Sequence, residues 1–497
     1  MSTAAALLVA AALAGCGNST YFAGRALPPS GLANRVLIAI QNPSAYSTGA
    51  LQFVDAYYDI RFQYNSANMS AAFSISGYAG NLPVTIQNMP EELTGAVYSS
   101  GDGGFNLISY SSEKLLGNVS GFNGKSSSIF ITRNQSYAFA ANQSTHELTV
   151  VDRSVTSPGS YALNLPGVYR VSVNPGGSAA LAFVQNSNFV YYPRKLTAAE
   201  SLAYAGGPNT WPKAAVDCEP QNVPGWCLFQ AQSPDNIDST GNPYGAPLVF
   251  DRPVKAVFSS DGGTAYVLNC GPECGGNASS VSLLPVAPII YLIGQQSGTL
   301  PAQSALSTIC TVSSTSGCTI PVPHGASNAL VSSSTMYAVG QKQMPDYCGG
   351  SVSHCWGGYL TVVNLSTNTV SSSVSISDGA PGAMSRMLLA DDNTLWIGMT
   401  QCTNGERANN NLPYGCLTMF NTSTNTVTLL EPYVGGDATG IAAVTGLHKI
   451  YTAEGGQVYI YSTLNGTEID NQYVTVTGTA YDVAYMDAIS DDDNTVY

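Results

Sequence analysis

The sequence predicts an all-β chain folded as a single β-propeller of four-stranded blades, eight by count. Three observations predict it. The composition is poor in charge and rich in strand and turn formers, a strand-and-turn unit recurs along the chain, and the two ends each hold part of one unit. A propeller blade needs about 40–50 residues, so 497 residues suffice for eight with insertions.

Charged residues are 10% of the chain, against about 25% in ordinary soluble domains. Helical surfaces draw on Glu, Lys and Arg, which are scarce here. Asn and 50 Gly supply turns, while Thr and 29 Tyr suit half-buried strands. Apolar residues are 44%, enough for a sizeable core, and the net charge is −14. An acidic chain without a Lys/Arg cluster repels phosphate backbones, which argues against a nucleic-acid partner.

The clearest repeated piece is a strand ending in Asp or Asn: Leu51–Asp55, Leu148–Asp152, Leu360–Asn364 and Leu417–Asn421. The terminal Asp or Asn opens a turn through its own side chain. Two of these strands run into nearly the same turn, Ser366–Val370 and Ser423–Val427. Upstream lies a hairpin, seen in Lys255–Leu268 and Val171–Phe183, whose Asp-Gly-Gly and Asn-Pro-Gly-Gly turns separate two strands. The first strands of successive units fall near Val84, Ser128, Tyr169, Val254, Asn328, Met384, Gly440 and Tyr481. Seven blades remain open if one long interval holds no boundary. At the N-terminus, Val36–Ile40, Leu51–Asp55 and Ala72–Ser76 make three strands without a first. Tyr481–Tyr485 is a first strand without the rest, so joining the ends closes the ring and removes the exposed edges. Residues 34–497 are therefore the propeller.

The apolar run Ala4–Ala14 is too short to span a bilayer, which needs about 20 residues. It fits the apolar part of an export signal. It ends in Leu13-Ala14-Gly15-Cys16, which resembles the lipobox of bacterial lipoproteins. That resemblance implies a signal over residues 1–15, a lipid on Cys16 and a flexible tether over 16–33. No Lys or Arg precedes the run, and an ordinary cleaved signal remains the alternative. Lipidation implies a bacterial envelope protein held to a membrane and exposed to the periplasm or the exterior.

Of eleven Cys, ten remain when Cys16 is set aside. They fall in five near neighbours: Cys218–Cys227, Cys270–Cys274, Cys310–Cys318, Cys348–Cys355 and Cys402–Cys416. Local pairing of all ten is the expectation, in an oxidising compartment. Tetrahedral zinc wants two such pairs of matching short spacing, and only Cys270/Cys274 has it, so no metal is expected.

The hairpins and the Leu-Thr-Val-Val-Asp-type strands resemble YVTN-type propellers, relatives of the lactonase-like propeller families, over most of residues 34–497. The Tyr-Val-Thr-Asn tetrapeptide itself is absent. The resemblance implies the fold and leaves function open, since that group mixes binders and enzymes.

In a four-stranded blade, the loops from strand two to three and from strand four to the next blade share one face. Cys270/Cys274, Cys348/Cys355 and Cys402/Cys416 fall in the first kind of loop, and Cys218/Cys227 before the fourth strand of a longer blade. Stapling a loop lowers the ordering cost of binding. The candidate contact residues on this face are His324, Asp346, Tyr347, His354, Trp356, Glu406, Arg407 and Tyr414. Such a mixture suits a glycan or a protein surface. Ser259–Tyr266 matches a sialidase Asp-box loosely, but its Asp-Gly-Gly turn accounts for it. No nucleophile elbow, phosphate loop or metalloprotease helix is present, and Asp491–Asn494 lacks the spacing of a calcium loop. No catalytic residue and no cofactor is assigned. The expected function is a surface binding or scaffold propeller. The alternatives are an exported lactonase-like hydrolase or quinoprotein-type oxidoreductase, and a structural envelope component.

Overall fold

The computed structural model describes residues 24–42, 48–61, 72–122, 125–233, 235–237, 243–286, 289–290, 292, 319–343, 356–376, 383–400, 417–430, 436–469 and 474–491. The lipobox Cys16 lies outside them, as do Cys310, Cys318, Cys348, Cys355, Cys402 and Cys416. No helix among them is long and apolar enough to cross a membrane.

The strands form eight antiparallel blades around one axis. The innermost strands are Thr479–Tyr485 in blade 1, Pro83–Met89 in blade 2, Ser128–Ile131 in blade 3 and Val168–Val173 in blade 4. Blades 5 to 8 begin with Pro253–Phe258, Asn328–Ser332, Ala383–Ala390 and Ala438–Val444. Every first strand expected from the repeat falls in one of these. The count is eight, which settles the choice against seven.

The core is a ring of eight apolar clusters, one between each pair of neighbouring blades. Alternation along each strand feeds two clusters at once. In the strand Arg35–Gln41, Val36, Ile38 and Ile40 pack toward blade 8, while Leu37 and Ala39 pack toward blade 2. A strand covered on both faces needs an unbroken apolar run, as Val-Leu-Ile-Ala-Ile provides.

Side chains stitch the inner strands of blades 1 to 5 to one another in turn. Asp482 accepts the Ile86 N–H at 2.7 Å, and Gln87 accepts the Ile131 N–H at 2.8 Å. Ser128 accepts the Val171 N–H and Ser172 the Ala256 N–H, both at 3.2 Å. The repeated Asp/Asn turns form as expected. Asp152 accepts from the Ser154 N–H at 3.0 Å, Asn364 from Ser366 at 2.9 Å and Asn421 from Ser423 at 3.0 Å.

The ring closes where the two ends meet. Val36 pairs with Tyr485, Ile38 with Val483 and Gln41 with Thr479 in one antiparallel ladder. Beside it, Arg35 is fully buried. Its guanidinium donates to Asp487 at 2.6 and 3.0 Å, to Glu113 at 2.8 Å and to the Tyr110 carbonyl at 2.7 Å. The Arg35 N–H adds a bond to Asp487 at 2.8 Å. Burial opposes the charge on Arg35, and the two carboxylates outweigh it, so its pKa is raised.

Blade 4 departs from expectation. Cys227 lies within the fourth strand, Trp226–Gln230, rather than before it. Cys218 lies in Ala215–Glu219, a fifth strand outside the fourth. The insertion after Lys195 carries a short helix, Ala198–Ala203, capped by Thr197 and Glu200. It then lays down the outer strand before the chain turns back to make the fourth. Cys218 and Cys227 face each other across that ladder and are bonded. This staple therefore braces a blade edge and does not belong to the face carrying Cys270–Cys274.

Candidate functional site

The face carrying the strand-two-to-three loops is best defined where blades 5 and 6 meet. In blade 5 the chain leaves Thr264–Asn269 and enters a short 3₁₀ turn, Gly271–Cys274, closed by the Cys270–Cys274 bond. Gly271 takes φ +66°, and a Cβ there would lie 2.4 Å from the Ser279 N, so the tight return admits only glycine.

This five-residue cycle aims Glu273 across the blade boundary. Its carboxylate accepts the Gln341 N–H at 2.9 Å, from strand two of blade 6. Burial pushes the Glu273 carboxyl up to about 7, with the Gln341 N–H pulling the other way. The same stretch of blade 6 receives the chain arriving from blade 5. Gly325 presses on Gln341 so closely that a Cβ would lie 2.4 Å from the Gln341 N.

His324, one residue earlier, is half-buried on this face, as its blade-to-blade position predicts. Its Nδ1 and the Ser373 hydroxyl are 2.7 Å apart. Its ring lies against that of Tyr359, with centroids 4.3 Å apart and planes inclined by 31°. Lys342 stands over Tyr359 at 5.9 Å. Burial lowers the His324 pKa, and Lys342 lowers it further, so the ring is neutral at pH 7. The result is a partly exposed aromatic pair beside the Lys342 ammonium and the Ser373 hydroxyl, with the Thr361 hydroxyl 3.2 Å from that of Ser373.

Of the other sequence candidates, Trp356 begins strand three of blade 6, its backbone paired with Gln343 at this face. Asp346, Tyr347, His354, Glu406, Arg407 and Tyr414 lie outside the described residues. The Asp-box-like segment is a turn: Asp261 accepts from the Ser259 hydroxyl at 2.5 Å and the Gly263 N–H at 2.9 Å. Asp491 joins Arg133 at 2.5 Å and is structural. His448 sits in the first hairpin of blade 8, with Asp392 at 2.8 Å.

Sequence reasoning missed Glu273, Tyr359 and a second carboxyl, Glu454. Glu454 ends strand two of blade 8, before a Gly-Gly turn on the same face. It is fully buried. Burial drives its carboxyl up to about 7. The Tyr461 hydroxyl donates to it at 3.4 Å, and among the described residues its Oε1 has no hydrogen-bond partner. Glu273 was in plain view inside the Cys270-Gly-Pro-Glu-Cys274 cycle, and the closure that marks a staple also fixes the residue within it.

No protein-family model matches the chain, and no curated protein does. Solved structures similar to it include the dihydro-heme d1 dehydrogenase NirN, at 11% identity and TM-score 0.49, covering 92% of this chain and 76% of that one. The β-propeller domain of Myceliophteria thermophila Cps50 (Swd1) covers 77% and 98%, at 8% identity and TM-score 0.45. A candidate 6-phosphogluconolactonase from Bacteroides fragilis covers 91% and 97%, at 12% identity and TM-score 0.40. The propeller rests on the chain's own ladders and the eight clusters between them. The two bonded cysteine pairs fit an oxidising, exported setting.

Proposed function

We propose that the chain is an exported, membrane-tethered binding propeller that holds a glycan on the face where blades 5 and 6 meet. The observation that carries this reading is the His324–Tyr359 pair beside Lys342. A sugar ring packs its C–H face on an aromatic surface, while hydroxyl and ammonium groups orient its own hydroxyls. The Cys270–Cys274 cycle and the Glu273–Gln341 bond hold neighbouring backbone in place before a ligand arrives, which lowers the ordering cost. Export agrees with the disulfides, and the tether is the lipid inferred on Cys16.

The test is calorimetric titration of the purified mature chain with neutral and acidic oligosaccharides. The expected result is saturable binding that Tyr359→Ala weakens about tenfold, the loss of one stacking contact with its neighbours. Oligosaccharides that fail to bind, or binding that Tyr359→Ala leaves intact, would refute the glycan reading; capture of a protein partner through this face would replace it. Anchoring is read separately by intact mass. The expected mature N-terminus is an acylated Cys16, and an unmodified start at another residue contradicts the tether.

A further inference from the structure

The end of the propeller opposite the candidate site carries the strand-one-to-two and strand-three-to-four turns. In blade 1 the strand Ala50–Asp55 runs into such a turn over residues 56–60. Asp55 closes it by pairing with Ile60, and its carboxylate accepts the Tyr57 N–H at 3.0 Å. Asp59 points inward. There Lys449 of blade 8 donates to it at 2.6 Å and to the Ala56 carbonyl at 3.0 Å, and the Tyr451 hydroxyl donates to it as well. The acid at the tip is thus answered beneath the turn, and the side chains that point outward are aromatic and apolar. Tyr57 and Tyr58 are 61% and 68% exposed, edge to face with ring centres 4.8 Å apart, and Ile60 is exposed beside them. Ile489, past the inner strand Thr479–Tyr485 of the same blade, is exposed on the same end. So is Leu464, in the turn after Gln457–Ser462 of blade 8. Single apolar side chains at a surface are ordinary; five on one end of two adjacent blades mark a contact surface.

The N-terminal segment leaves from this same end. Arg25 donates to the Ala488 carbonyl at 2.9 Å and to the Pro90 carbonyl at 3.2 Å, below the inner strands of blades 1 and 2. Ser30 donates to Glu113, in the strand-three-to-four turn of blade 2, through its hydroxyl at 2.6 Å and its N–H at 3.0 Å. From Gly24, where the described residues start, Cys16 is eight residues away, a reach of at most about 29 Å. A bilayer laid on the candidate-site face would be farther. The tether would have to cross three strand spacings to the rim and then run the length of a six-residue strand such as Thr94–Ser99, about 34 Å together.

Resting on the tether proposed for Cys16, we propose that this end of the propeller lies on the bilayer. Tyr57, Tyr58, Ile60, Leu464 and Ile489 sit among the lipid headgroups, and the face where blades 5 and 6 meet is turned away from the membrane. A tyrosine suits that layer, its ring body toward the acyl chains and its hydroxyl among the headgroups. The net charge of −14 disfavours anionic lipid, so the expected headgroups are zwitterionic.

The test is hydrogen exchange of the full mature chain on phosphatidylcholine vesicles, compared with an unacylated Cys16→Ser chain in solution; intact mass reports acylation. Vesicles are expected to slow exchange at residues 57–60 and 464–467 and to leave Gly271–Cys274 unchanged. In co-sedimentation, the unacylated chain is expected to partition weakly onto the same vesicles. Tyr57→Ser with Tyr58→Ser should weaken that partition about tenfold. Val249→Ser, on the opposite face, should leave it unchanged. The substituted side chains are exposed, and circular dichroism establishes that the variants fold. Exchange that slows at Gly271–Cys274 instead, or turns that an acylated chain leaves unprotected, overturns the orientation and leaves the tether standing. A native chain without acyl groups removes the tether, and co-sedimentation then decides the surface by itself. No partition, or partition that the double tyrosine variant leaves intact, overturns it. Slow exchange at the turns that appears without lipid and grows with protein concentration makes this end a contact between copies and overturns it too.

Discussion

The seam that closes the ring and the junction between blades 5 and 6 both tie distant parts of the chain through charged side chains, with opposite results. At the seam, Arg35 is fully buried and answered on every side, by Asp487, by Glu113 and by a carbonyl. At the junction, Glu273 has one backbone donor and a carboxyl pushed up to about 7. Paired charge at the seam holds the Arg35 guanidinium charged and in one geometry. Half-answered charge at the rim leaves a group that changes state near neutrality. Glu454, with one oxygen lacking a hydrogen-bond partner among the described residues, is a deeper instance of the same condition.

The largest effect that would break the comparison is at the seam. Arg35→Ala leaves Asp487 buried without its cation, and its cost is expected to be about 3–5 kcal/mol in urea unfolding. A cost near zero would make the seam no stronger than the rim. Next is Glu454. Its pKa rises from 4.5 in the unfolded chain to about 7 in the fold. The stability that its neutral form contributes is thus complete below pH 4.5 and is lost as pH rises through about 7. The expected loss by pH 8 is on the order of 2–3 kcal/mol. Glu454→Gln should flatten that dependence, giving a smaller fall in unfolding free energy between pH 4 and pH 8 than the native chain. Glu273→Gln should act in the same direction and less.

Removing the Cys270–Cys274 bond with paired Ser substitutions should cost about 2 kcal/mol by loop-closure entropy. It should also loosen Glu273, so the pH dependence assigned to that residue weakens in the same variant. The smallest effect is at His448, exposed and bonded to Asp392, whose hydrogen bond and charge raise its pKa. That raised pKa stabilises the fold fully below about 6.5, the unfolded value, and the benefit is lost as pH rises through the folded value. The native chain should therefore show a slight fall in melting temperature between pH 6 and pH 8 that His448→Gln lacks.

Local and repeated features were legible in the sequence. The hairpin turns, the Asp/Asn turns after Asp152, Asn364 and Asn421, and all eight first strands follow from short patterns that recur. Bonded pairs Cys218–Cys227 and Cys270–Cys274 follow from spacing. The fifth strand of blade 4 was not legible, because an insertion that doubles back looks in sequence like a long loop. Nor was the contact of Arg35 with Asp487, which lie 452 residues apart. It exists only once the ring has closed, and no local pattern marks its partner. Of the face residues chosen from sequence, His324 is where its loop position put it. Tyr359 was hidden in a strand that reads as ordinary core.

The account depends on the two ends of the chain forming one blade as firmly as any other. Hydrogen exchange resolved to individual amides tests this most directly, at Val36–Ile40 and Ala480–Val483 against the inner strands of blades 4 and 5. The expected result is protection at the seam matching those strands, lost together with theirs only in global unfolding. Exchange at the seam that runs far ahead of blades 4 and 5 under native conditions would contradict a closed ring.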